Sequence, residues 1–273
     1  MKNSLGATIK NVRVNKKMSQ KDLADGICAQ SMLSAIENDK YTPNAKLLIE
    51  LCHRLSISLT EISLSQNFDI SSIDKFNDTV EKLCNAHKYK QLHEFLLQDS
   101  VIDNLKSDTQ LQAYYYYLSI SQLQTGDLAE AEKSLNLSLA DIDRQSLSTL
   151  SRLGFMSLSL LNAIKLQNKS AITNLNTAFE GLSNQPYEEN QNILFYLASL
   201  IYFKINDLAK STDYLNQGIK FIAKNNSHYM LANCYFLSAE LADIYNQKDK
   251  AAEARKREKI FSELYGEKVF KDI

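Results

Sequence analysis

Apolar residues recur along this chain at helical spacing, in short blocks at first and longer ones later. Leu5, Ile9 and Val12 fall at i, i+4 and i+7, one face of a first helix. Ser19 opens a second: its hydroxyl can cap the free amides, and Asp22, three residues on, can reach back as the acid of a capping box. Leu23 and Ile27 supply that helix's apolar contacts, and Gly26 lies near its end. A third helix is predicted from Gln30 to Asn38, with Leu33 and Ile36 turned inward. Thr42-Pro43 reads as the start of a fourth, a capping hydroxyl followed by proline at the first helical position. Leu47, Leu48, Leu51 and Leu55 form its buried stripe. Ser58-Leu59-Thr60-Glu61 is a further capping box and predicts a short fifth helix. Five short helices, with a short turn between the second and third, are the layout of a helix-turn-helix domain.

Farther along, the pattern becomes periodic. Turn-like polar pairs between apolar blocks recur at His87-Lys88, Gly126-Asp127, Asn168-Lys169, Asn206-Asp207 and Lys248-Asp249, at spacings of 39, 42, 38 and 42 residues. One unit is clear: Tyr114 to Leu118, the Gly126-Asp127 turn, Ala129 and Ala131, then Leu135 and Leu139. It resembles a tetratricopeptide repeat, and Asn206-Asp207-Leu208-Ala209 with Leu215 echoes it. The organisation predicted is a helix-turn-helix domain at 1–64, a linker and connecting helix at 65–82, and about five helical hairpins at 83–273. A lone hairpin cannot bury its apolar face, so the hairpins are expected to stack into a right-handed superhelix with a concave side. Counting from the turns puts Tyr116 on that side, together with Tyr196 and Leu200. Asn162 and Asn233 are the candidate clamps there, since a side-chain amide offers a donor and an acceptor to a peptide backbone. The competing readings are core tyrosines between hairpins, and capped or solvated asparagines.

Composition narrows the class. Gly 7 and Pro 2 are too few for a hairpin-rich all-β fold or a glycine-rich nucleotide loop, so the fold class predicted is all-α. Residues 1–64 carry nine Lys/Arg and six Asp/Glu, whereas the rest carries 22 and 26. A small basic head on an acidic body suggests that the head meets a polyanion. The four cysteines (Cys28, Cys52, Cys84, Cys234) form no CxxC pair, and neither they nor the four histidines have metal-ligand or nucleophile–base spacing. No cofactor, no metal and no enzymatic activity are expected. The charged first residues lack a signal-type apolar stretch, and no run of 18 apolar residues occurs, so a cytoplasmic protein without a membrane span is expected.

The string Ile9…Arg13…Met18-Ser19-Gln20-Lys21-Asp22-Leu23-Ala24…Ser34-Ala35-Ile36-Glu37-Asn38…Pro43…Leu47…Leu51…Leu55 resembles the Cro/phage-repressor (Xre-type) DNA-binding domain. In such a domain the third helix enters the major groove. Gln30, Ser31, Met32 and Ala35 then face base edges, with Gln30 suited to adenine and Met32 or Ala35 to a thymine methyl. The resemblance implies that Gln20 contacts phosphate from the start of helix two, that Asn38 and Lys40 hold the backbone beyond helix three, and that Arg13 and Glu37 form an internal, structural ion pair. An Xre-type head on tetratricopeptide-like repeats resembles the PlcR/PrgX/Rgg-type peptide-sensing regulators, PlcR most closely. That resemblance implies a homodimer that binds a double-stranded DNA operator and takes a short signalling peptide in the groove. Two other readings stay open: a peptide-independent phage-type repressor whose body only dimerises, and a repeat adaptor for a protein partner.

Overall fold

The chain divides into two compact units, Met1–Gln66 and Asn67–Ile273. The computed structural model describes residues 5–38, 40–56 and 68–271, all helix or connecting loop with no strand among them.

The head contains α1 (Leu5–Asn15), α2 (Gln20–Ala24), α3 (Gln30–Glu37) and α4 (Ala45–Leu55). Ile9, Leu23, Leu33, Ile36, Leu51 and Leu55 meet in its core and are almost wholly buried. The capping box of α2 forms as the sequence predicts. Asp22 N donates to Ser19 Oγ at 3.1 Å, and Ser19 N donates to Asp22 Oδ2 at 2.9 Å. The start of α4 differs from the Thr42-Pro43 expectation. Asn44 is the cap, its Oδ1 accepting from Leu47 N at 2.9 Å, and Pro43 lies outside the helix. Asparagine is the stronger capping residue, and it wins over threonine two positions earlier. The box at Ser58-Leu59-Thr60-Glu61 lies outside the described residues.

The second unit is a stack of five helical hairpins. They are α5 (Asp74–Asn85) with α6 (Tyr89–Leu96), α8 (Asp108–Thr125) with α9 (Leu128–Ser138), α10 (Thr149–Ile164) with α11 (Asn168–Phe179), α12 (Gln191–Lys204) with α13 (Leu208–Lys224), and α14 (Leu231–Ile244) with α15 (Lys248–Tyr265). A single turn, α7 (Asp99–Ile102), follows the first pair. The helix read as a connector from Phe76 is α5 itself. Val80 is buried in this unit, and Phe76 meets Phe95 edge-on at 5.9 Å.

Each hairpin turns on one left-handed residue: His87, Gly126, Leu166, Asn206 and Asn246, at steps of 39, 40, 40 and 40. Two turns thus fall earlier than Asn168-Lys169 and Lys248-Asp249; the chain reverses at Leu166-Gln167 and Asn246-Gln247. The next N–H always bonds the carbonyl five residues back: Lys88 to Leu83, Asp127 to Gln122, Gln167 to Asn162, Asp207 to Tyr202 and Gln247 to Ala242, at 2.8–2.9 Å. This is the Schellman closure, which needs positive φ and is cheapest for the glycine at 126.

The same period sets the helix crossings. Ser119 and Ala131, Ser159 and Ala171, Ser199 and Ser211, and Ala239 and Ala251 are small, buried pairs twelve positions apart. Their hydroxyls are spent on backbone: Ser159 Oγ donates to the Ala171 carbonyl at 2.6 Å, and Ser199 and Ser211 donate to each other's carbonyls at 2.8 Å. Small side chains let the helices approach, and bonded hydroxyls carry no burial penalty.

Candidate functional site

In the head, α3 has a buried and an open side. Leu33, Ile36 and Glu37 are buried, while Gln30 and Ser31 are exposed, Met32 is 38% exposed and Ala35 is half-buried. Ala29 caps this helix without a side-chain acceptor, so no side chain competes for its first amides. At the other end Asn38 Nδ2 donates back to the Ser34 carbonyl at 2.7 Å, and Lys40 is exposed. Lys16, Lys17, Lys21 and Lys46 are exposed on the same unit.

A buried charged network holds α3. Arg13 Nε donates to Glu37 Oε1 at 2.5 Å and Arg13 Nη2 to Glu37 Oε2 at 2.9 Å, while Nη1 reaches the Met18 carbonyl at 2.8 Å. Gln20 Nε2 donates to Glu37 Oε2 at 2.7 Å, so its amide is engaged inside the head at the place where a phosphate contact is expected. Burial pushes the Glu37 carboxyl up, but the hydrogen bonds from Arg13 and Gln20 outweigh it and hold it below the ordinary glutamate value. One contributor escaped the sequence reading: Arg54, at the end of α4, donates to the carbonyls of Asp25 and Asp22 and closes α2.

In the stack, Tyr116, Asn162, Tyr196, Leu200 and Asn233 are all buried. The two asparagines are not equivalent. By the 40-residue step Asn162 matches Gln122, whose Oε1 accepts from Ser134 of its own hairpin at 2.8 Å, whereas Asn233 matches Ile193. The Asn233 amide grips the chain itself, in the stretch that follows α15. Its Nδ2 donates to Glu267 Oε1 at 2.6 Å and to the Lys268 carbonyl at 3.4 Å, and its Oδ1 accepts from Phe270 N at 2.9 Å. Asn233 N also donates to Glu267 Oε1, at 3.2 Å, which puts this carboxylate at the N-terminus of α14. Burial pushes the Glu267 carboxyl up; the Asn233 amide and the N–H groups of Asn233, Ala232 and Met230 oppose the rise without cancelling it. Glu267 Oε2 and Tyr196 Oη are both buried and find no hydrogen-bond partner among the described residues.

Residues 266–271 continue to the opposite end of the stack. Lys268 Nζ donates to the Ala86 carbonyl at 2.6 Å, and the Phe270 ring meets His87 edge-on at 6.2 Å. Between this segment, the α5–α6 turn and α15 lies a cavity of about 530 Å³, lined by His87, Tyr89, Gln124, Glu258 and Ser262. The segment escaped the sequence reading, and Gly266 is its one sequence signal, a helix stop at φ 65°. Among the described residues no cluster of side chains could hold a metal ion, and no helix is long and apolar enough to cross a membrane.

Residues 9–62 match the helix-turn-helix family. No curated protein sequence matches the chain significantly. Among solved structures, PlcR of Bacillus thuringiensis in complex with the peptide PapR7 and DNA is similar at TM-score 0.61 and 18% identity, over 97% of this chain and 96% of that one. Its apo form is similar at TM-score 0.58 and 17% identity, over 96% and 94%. From head to stack, the chain therefore has the fold of PlcR, with a helix-turn-helix domain at its start.

Proposed function

We propose that this protein is a sequence-specific DNA-binding transcription regulator controlled by a short peptide bound inside the hairpin stack. The observation that carries this reading is the pairing, in one chain, of an open α3 face with a buried asparagine that already grips a stretch of non-helical backbone. Gln30, Ser31, Met32 and Ala35 read bases, with Gln30 bidentate to adenine. Asn38 and Lys40 hold phosphates. Gln20, tied to Glu37 by one amide hydrogen, keeps its second for a phosphate. Arg13 and Glu37 keep α3 at a fixed angle rather than touching DNA.

The protein works as a cytoplasmic homodimer whose two heads read half-sites separated by whole helical turns. In the stack Tyr116, Asn162, Tyr196, Leu200 and Asn233 surround the peptide. The peptide changes DNA affinity by favouring one arrangement of the stack, with a coupling of about 1–3 kcal/mol, roughly 5–150-fold. A peptide-independent regulator is the second reading, favoured by the chain's own occupation of the Asn233 site.

Selection from random duplexes, followed by binding to the selected and a scrambled site, tests the head. Gln30→Ala loses about 1–3 kcal/mol of base discrimination with the fold intact. Equal affinity of the unsubstituted protein for both duplexes at matched salt overturns the reading.

A further inference from the structure

We infer that residues 266–271 are a built-in occupant of the peptide site, and that the peptide which displaces them is short, extended, and carries a carboxylate with an aromatic side chain three residues later. This rests on the reading of the stack as a peptide receptor and specifies what that receptor takes.

Three features of the site point to it. The first is an acid position. Glu267 reaches it from outside the helix it caps, and its Oε1 takes both the backbone N–H and the side-chain amide of Asn233. These donors belong to α14, a helix of 14 residues, and they serve equally a carboxylate arriving on another chain. The second is a main-chain position. Asn233 accepts from the Phe270 N–H and donates toward the Lys268 carbonyl, a pair of contacts that any extended peptide can supply. The third is an aromatic position, where Phe270 lies against His87 beside the cavity.

The occupant fits incompletely. Tyr196 is 4% exposed, yet its hydroxyl has no partner, and Glu267 Oε2 is equally bare. Burial above all, with Glu267 among the smaller contributors, keeps the Tyr196 hydroxyl in its protonated, donor-bearing form. A peptide that fills the same three positions and also bonds the Tyr196 hydroxyl gains contacts that the segment lacks. Exchange of one for the other breaks two contacts of this segment with the α5–α6 turn, the Lys268–Ala86 bond and the Phe270–His87 ring contact. Displacement is therefore felt at both ends of the stack.

The probe is a fluorescein-labelled hexapeptide of the segment's own sequence, Gly-Glu-Lys-Val-Phe-Lys with an amidated end, titrated by fluorescence anisotropy. It is expected to bind the full chain carrying Glu267→Ala and Phe270→Ala at least tenfold more tightly than the unsubstituted chain. Adding Asn233→Ala to that variant is expected to undo the gain by at least tenfold. A chain lacking 267–273 serves as the second variant should the substituted one fold poorly by circular dichroism. A third measurement needs no variant: at saturating probe, hydrogen exchange of the Phe270 amide in the unsubstituted chain is expected to accelerate at least tenfold. Equal probe affinity for all forms, no binding to any, or an unmoved Phe270 amide overturns the inference. Operator binding is measured on the same preparations. Probe binding without DNA discrimination breaks the regulator reading alone, and DNA discrimination with no probe effect breaks this inference alone.

Discussion

Glu37 in the head is buried, Glu267 in the stack is half-buried with one oxygen out of reach of solvent, and the two units hold these carboxylates in opposite ways. Both oxygens of Glu37 are bonded, to the two donors of the Arg13 fork and to Gln20. One oxygen of Glu267 is bonded and the other is bare. Their titration follows: Glu37 is held below the ordinary value and Glu267 above it. A fully satisfied acid locks the geometry of the helix that carries it. A half-satisfied one costs the protein a desolvated oxygen of about 1–3 kcal/mol, and such a contact is easier to release.

The largest expected effect breaks the first half of that comparison. Glu37→Ala leaves the Arg13 guanidinium buried without its partner, and urea unfolding should show a loss of about 3–5 kcal/mol. Arg13→Met combined with Glu37→Leu should recover most of it, because an apolar pair carries no unpaired charge. A smaller loss is expected in the stack at Gly218. An added Cβ there would lie 2.8 Å from Phe195 Cβ, an atom fixed by its own helix, so Gly218→Ala should cost about 1–3 kcal/mol despite alanine's better helix propensity.

The pH dependence sharpens the contrast. The contribution of Glu37 is complete above the ordinary value of 4.5 and drains away as pH falls through its lower folded value. The contribution of Glu267 runs the other way. It is complete below 4.5 and is lost as pH rises through its raised folded value, with the neighbouring Tyr196, Tyr229 and Cys234 all pushed up and uncharged over that range. Acid titration followed by head-specific and segment-specific NMR signals should therefore show the head loosening while the segment tightens. The smallest effect is expected at a crossing. Ser211→Ala removes one bonded hydroxyl and should cost about 1 kcal/mol, since Ala131, Ala171 and Ala251 already fill that position elsewhere.

Local chemistry made most of the fold legible. The Ser19–Asp22 box, the apolar faces of α1, α3 and α4, and the turns at Gly126 and Asn206 are each decided by a few adjacent residues, and such signals read directly. Leu166 defeated that logic. It is a leucine in a left-handed turn, 83% exposed, and a search for polar turn residues lands on Asn168 instead. The period of the stack, not the residue, imposes its conformation. Pairings between distant residues were harder still. Arg13 with Glu37 was legible only through a family pattern, and the bonds of Asn233 to Glu267 and Phe270 carry no local mark, because 266–271 has neither helical period nor a capping signal beyond Gly266. For the same reason the asparagines at 162 and 233 looked alike in sequence and occupy different registers in the stack.

A row of identical modules has no natural length, because each one meets only its neighbours and another can always be added. Here the Lys268–Ala86 tie, joining positions 182 residues apart, acts as a caliper across the row. Its six-residue jaw admits five modules. A duplication or loss of one 40-residue module, harmless in an open array, would leave that jaw unable to close, so this protein's size is policed by its smallest part.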